Sequence, residues 1–453
     1  MYKKLLRKLM GIFFLMLSVT TISESRIKVA ENIYLDAFFR PRTELEAMDF
    51  NAATGFDAYS TFRTRLGIGL ENLVENTTLY LNLADSRTMG YNDPYLQGTP
   101  VAPNKSDQNL GVDIAYIETR NFLFNGTMLR IGRMENNQGR ERLFGPGNWS
   151  VFGPRTYDGM KIGYDSEKLS GHFWTLYGRY GDRHWYFGPG GNPEEIPYEE
   201  TDYKRDHTLN GLDLGLEPKL LLGSVDLMLY LDLNQAEVLD TVHQEKNVDW
   251  SRWTMAGYYC HKTEGKSGFN LEADAAYQFG NQALGTGNAD ISAYMVFLDL
   301  AYKFDLPMKP TAGLGLDYTS GDNGLHPMEI NNFYEYYYSA HTFQGHMDLF
   351  SGTEPIKNYG LQDFILRLGC SPLKSLKCKI DIHYFKTEFG YPSEVDDEKA
   401  KELGWETDIT TDWEMRKGLK LRLGYDFFLP SEDWQGEGAD VGTFIYTELT
   451  ASI

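Results

Sequence analysis

Segments of about ten residues in which apolar and polar side chains alternate recur along nearly the whole chain, and helical periodicity is almost absent. In TFRTRLGIGL, residues 61–70, Phe62, Thr64, Leu66, Ile68 and Leu70 share one face, while Arg63, Arg65, Gly67 and Gly69 share the other. VDLMLYLDL, FNLEADAAYQF and LKLRLGYDFF repeat the pattern. Counted this way there are eighteen segments, with sixteen as the alternative count, starting near residues 33, 60, 77, 111, 127, 157, 171, 208, 224, 251, 269, 292, 311, 361, 376, 404, 419 and 441. Their connections alternate, long ones of roughly 12 to 41 residues with short ones of roughly 5 to 7. A soluble sandwich gives no reason for long loops to fall at one end only, and no four-strand repeat of a propeller is visible. A closed barrel in a membrane gives that reason, because periplasmic turns are short and extracellular loops long. Closure also pairs every backbone group without water. The expected fold is all-β: one antiparallel transmembrane barrel over residues 24–453, with both termini in the periplasm.

The first residues support export. Lys3, Lys4, Arg7 and Lys8 precede an apolar run from Leu9 to Val19, followed by small residues at Thr21 and Ser23. This is the pattern of a signal peptide over residues 1–23, too short to span a bilayer as a helix. No later stretch is long and apolar enough for a helical span. Thirty Tyr, 26 Phe and 8 Trp suit aromatic girdles, and a mean hydropathy of -0.43 suits strands with one wet face. The expected location is the outer membrane of a Gram-negative cell.

A net charge of -21 argues against a nucleic-acid partner. Three cysteines are too few for a disulfide framework; Cys370 and Cys378 could pair across a turn, with free thiols as the expectation. The GKS at Gly265–Ser267 lacks the earlier glycine of a phosphate-binding loop, and neither GxSxG nor HExxH occurs. No enzyme activity, cofactor or metal is expected.

In a barrel the polar face lines the lumen. Arg63, Arg65, Arg130, Arg367, Lys379, Lys420 and Arg422 then point inward from one continuous wall, and Asp226, Asp232, Glu272, Asp274 and Asp299 from the opposite one. A transverse field follows, and arginine suits it because it is always charged and grips carboxylates with two parallel bonds. Asp381, Asp408, Asp412 and Asp426 fall on the basic side, so internal pairing is the competing reading. Two connections could fold inward as a constriction or gate. One carries Arg133, Arg140, Arg142 and Arg155 among glycines, and folding inward would set Arg140 and Arg142 beside the wall arginines. The longest carries Tyr336, Tyr337, His341 and His346.

Several of these stretches, in this order, resemble the alginate export family of outer-membrane barrels. They include Arg63-Thr-Arg65, Asp85-Ser-Arg87, Gly139-Arg-Glu-Arg142 with Trp149, Arg155-Thr-Tyr157-Asp158, His341-Thr-Phe343, His383-Tyr-Phe385 and Gly424-Tyr425. The resemblance implies eighteen strands and an arginine-lined lumen, gated by loops, that passes a polyuronate. The acidic inward faces depart from that pattern. The expected function is passive passage of an anionic polysaccharide or oligosaccharide. The alternatives are a small-solute uptake porin and a plugged barrel used as an adhesin or enzyme. Partners implied are outer-membrane lipid and lipopolysaccharide, the solute, and periplasmic proteins.

Overall fold

The computed structural model describes residues 26–89, 110–145, 147–149, 155–178, 185–187, 193–195, 207–216, 223–234, 237–238, 246–247, 249–284, 287–335, 338–350, 355–392 and 399–453. The signal peptide expected over residues 1–23, and the gate candidates Tyr336 and Tyr337, lie outside these described residues. Eighteen strands, apart from short strands outside the barrel wall, form the barrel in chain order: β1 Ile33–Ala47, β2 Asp57–Glu71, β3 Thr77–Thr88, β4 Gly111–Arg120, β5 Thr127–Met134 and β6 Tyr157–Asp165. Then come β7 Leu169–Gly178, β8 His207–Leu216, β9 Ser224–Asn234, β10 Trp250–His261, β11 Gly268–Leu284 and β12 Gly287–Lys303. The last six are β13 Thr311–Thr319, β14 Leu361–Leu373, β15 Leu376–Pro392, β16 Lys399–Arg416, β17 Leu419–Pro430 and β18 Gly442–Ser452. Each pairs antiparallel with the next, and β18 closes on β1 with Arg42 opposite Glu448 and Ala47 opposite Thr443. Along that seam the ladder lapses at Arg40 and Pro41, as expected where a proline has no N–H to give.

Burial follows the two-residue period. In β2, Thr61, Arg63, Gly67 and Gly69 are buried while Leu66 and Ile68 are exposed. Leu79, Ile117, Ile131, Phe173, Leu212, Leu227 and Met255 continue the same outward apolar band. An exposed apolar belt around a polar interior is stable in lipid and not in water.

Two connections expected to be long are short. β11 and β12 are separated only by residues 285–286, and β16 starts at Lys399, within a stretch expected to be loop. The alternation continues past the membrane, with Ala283, Ala289 and Ile291 facing in, so the strands extend into what looked like loop. The extension has a use: Asp290 and Ile291 pair in parallel with Glu329 and Ile330 of the β13–β14 connection. Cys370 and Cys378 face each other across β14 and β15 as free thiols.

Candidate functional site

Two connections fold into the lumen. The β5–β6 connection, from Glu135 to Thr156, crosses the bore. Arg140 reaches Glu272 of β11 at 2.9 Å and Asp299 of β12 at 3.5 Å. Arg142, 1% exposed, makes two 2.9 Å bonds to Asp317 of β13 and also touches Glu335. Phe144 packs edge-on against Trp174 and Tyr230. At its far end the Trp149 carbonyl accepts from Arg42 at 2.6 Å and the Asn148 carbonyl from Arg40 at 2.5 Å. The Arg42 guanidinium lies 4.0 Å over the Trp149 ring.

The β13–β14 connection, residues 320–360, packs on the first. Gln278 of β11 holds the Tyr334 backbone through both amide atoms, at 3.0 and 2.9 Å. Glu335 sits between Arg142 and Lys357, and Lys357 also donates to Tyr338 and Gln344 at 2.8 Å. Arg155 donates to the Tyr338 carbonyl at 2.7 Å. Phe343 is fully buried on Phe297, and Phe350 on Phe385 and Phe428. Gly345, at φ +81, lies so close to the wall that a Cβ there would come within 2.5 Å of Glu406. His341 stacks on Trp149 at 3.7 Å and puts its Nδ1 3.2 Å from Asp348.

The sequence placed Arg140 and Arg142 beside the wall arginines; the structure puts Arg142 on Asp317 of the acidic wall, while Arg140 shares Asp299 Oδ2 with Arg367 of the basic wall. A buried guanidinium needs carboxylates around it, and Glu272, Asp299 and Asp317 supply them. Arg133 belongs to β5 rather than to a loop and grips Asp158 with two 2.8 Å bonds. On the basic wall Arg65 meets Asp113 and Glu135, Arg130 meets Glu118, and Arg367 meets Asp299 and Asp381. Asp412 takes both Arg422 and Lys420. Arg63 is buried beneath the Asn148 carbonyl, and Lys379 remains exposed. Asp232 lies 3.9 Å from Arg252, and Asp274 is buried. The expected transverse field is thus divided into local ion pairs. Some cations still face water: the side chains of Arg65, Arg130, Arg422 and Lys420 keep 17, 24, 30 and 42% exposure.

Sequence reading missed Arg40, Arg42, Glu335 and Lys357. The first two were legible, since FRPRTE sets Arg40, Arg42 and Glu44 on one face, but Pro41 hides the alternation. Glu335 and Lys357 carry no local signal because their partners are distant in sequence.

The His341–Asp348 pair makes docking depend on pH. Burial pushes the Asp348 carboxyl up to about 8. Burial and the adjacent His346 hold His341 well below the usual imidazole range. The docked pair therefore keeps one proton to about pH 8, whereas the released pair has lost both protons above about pH 6.5. Docking weakens as pH rises through that window and levels off below it, where the released His341 is protonated as well. Asp348→Asn is expected to reduce the rise in open-channel current between about pH 6.5 and about pH 8. An unchanged rise in that variant counts against this assignment.

The family model described as Alginate export matches residues 199–444. No curated protein matches the chain. Among solved structures, Pseudomonas aeruginosa OpdK with vanillate is similar at TM-score 0.55 and 12% identity, over 92% of this chain and 98% of that one. Pseudomonas aeruginosa OccK2 (OpdF) in complex with glucuronate aligns at TM-score 0.55 and 12% identity, over 93% and 98%. Acinetobacter baumannii OccAB4 aligns at TM-score 0.55 and 13% identity, over 94% and 99%. At such identities the likeness concerns the fold. With a family match over more than half its length and this barrel, the chain belongs to the alginate export family of outer-membrane β-barrel proteins.

Proposed function

We propose that this outer-membrane porin is a passive path for small carboxylate-bearing solutes, of the size of one or a few uronic acid residues. One observation carries the reading. Two connections fill the acidic side of the lumen with ion-paired and aromatic side chains, and among the described residues Arg130 and Arg422 of the basic wall keep part of their side-chain surface in water. A polymer needs an open bore, whereas a small anion needs a narrow path edged by cations. Arg130 and Arg422 can exchange part of their bonding to Glu118 and Asp412 for a passing carboxylate. Vanillate and glucuronate, bound in two structures of the same fold, are both small carboxylates, and the family match supports uronate chemistry.

Liposome swelling by the refolded barrel tests it. Glucuronate is expected to enter readily, with rates falling steeply as oligouronates lengthen. Undiminished entry of long oligouronates would restore the polysaccharide channel.

A further inference from the structure

The geometry points to a binding site for a divalent transition-metal ion, with Zn2+ as the best-fitting ion, formed by His346, Asp408 and Asp426. His346 comes from the β13–β14 connection, Asp408 from β16 and Asp426 from β17. Its Nδ1 lies 3.6 Å from Asp426 Oδ1 and 3.9 Å from Asp408 Oδ2, and one ligand atom from each of the three falls within 4.8 Å of the others. Ligand atoms of a tetrahedral Zn2+ site stand about 3.3–3.6 Å apart, so a small closure brings the set to bonding geometry.

A second observation points to a missing cation. Asp408 and Asp426 are 2% and 0% exposed. His346 Nδ1, Asp408 Oδ1 and Asp426 Oδ2 are buried without a hydrogen-bond partner among the described residues. Within the described residues, the only cationic side chains at ion-pair distance from either carboxylate are imidazoles. Glu406, also fully buried, accepts from the Met347 N–H at 2.8 Å and lies in side-chain contact with Asp408. So many carboxylates in one dry patch are costly without a positive partner.

The surroundings suit a metal. His383 bonds Asp363 through Nδ1 at 2.8 Å and puts Nε2 3.5 Å from Asp408 Oδ2, so it orients that carboxylate from behind. The Ile409 N–H donates to Asp426 Oδ1, and the His346 N–H to Asp408 Oδ2, both at 3.2 Å. One imidazole and two carboxylates leave a fourth position for water, a donor set that fits Zn2+ better than Ca2+, which takes six to eight oxygens. Because the ligands come from a lumen connection and from the wall, an ion there ties the two together.

Calorimetric titration of ZnCl2 into the refolded, chelator-stripped full chain is the test. One saturable Zn2+ site is expected, with CaCl2 and MgCl2 far weaker. His383→Gln should weaken Zn2+ by about 10- to 100-fold, and His346→Gln or Asp426→Asn by more. Absence of a saturable site, or variants that bind as wild type, would overturn the assignment. Since a variant could unseat the connection, X-ray absorption of the wild-type chain with one equivalent of Zn2+ provides a check without mutation. One imidazole in an otherwise oxygen shell is expected, and none or several would contradict it. Neither readout involves solute flux, so failure here is distinguishable from failure of the permeation reading.

Discussion

Arg142→Ala is expected to widen the channel. Arg142 is the buried centre of a knot: its guanidinium holds Asp317 of β13 and Glu335, and Glu335 also holds Lys357. Truncation leaves Asp317 buried without its bidentate partner. Removing one member of a buried ion pair costs about 3–5 kcal/mol. That penalty falls on docking rather than on the barrel, because the strand ladders do not include Arg142. At about 1.4 kcal/mol per factor of ten, the docked-to-released ratio drops by about a hundred-fold or more. Single-channel recordings should show a several-fold larger conductance, while the unheated protein keeps its folded gel mobility. A variant with wild-type conductance would mean that the knot does not hold the connections in place. Arg142→Lys should rescue only partly, since an ammonium cannot replace two parallel bonds to Asp317.

The second large effect is expected at Trp149, the anchor on the opposite wall. Its ring is packed between the Arg42 guanidinium at 4.0 Å and the His341 imidazole at 3.7 Å, with Tyr446 edge-on at 4.8 Å. Large aromatic truncations cost about 3–5 kcal/mol in a full core, and the half-buried Trp149 falls at the low end, about 3 kcal/mol. The backbone bonds from Arg40 and Arg42 to residues 148 and 149 do not depend on the ring, so release is incomplete. Trp149→Ala should therefore produce flickering between wild-type and larger conductance levels, and Trp149→Phe should restore most of the steady level. Steady wild-type recordings from Trp149→Ala would mean that the Trp149 ring does not anchor the connection.

The barrel was legible in the sequence because its cause is local. Alternation in β2, β9, β11 and β17 follows from a two-residue period, and each segment declares its faces without reference to any other. The path of the lumen connections was not legible. Arg142 and Asp317 are 175 residues apart in sequence, and no spacing rule brings them together. The expectation that both loop arginines would lie beside the wall arginines failed for Arg142, because it located the segment but not its counter-charges, whereas Arg140 does meet Arg367 across Asp299. The same holds for His346, whose neighbours Asp408 and Asp426 lie on two strands far along the chain. Extension of β11 and β12 past the membrane was hidden for another reason: length sets how many residues a strand needs to cross, and does not set where it stops.

On the proposed reading the docked connections leave a narrow path edged by the cations of β2, β5 and β17. Reversal potential under a salt gradient, measured on the refolded chain in a planar bilayer with and without glucuronate, tests it most directly. An anion-selective current that glucuronate reduces is expected, with both selectivity and block weakened by Arg130→Ala or Arg422→Ala. A large unselective current indifferent to glucuronate and to both substitutions would contradict it.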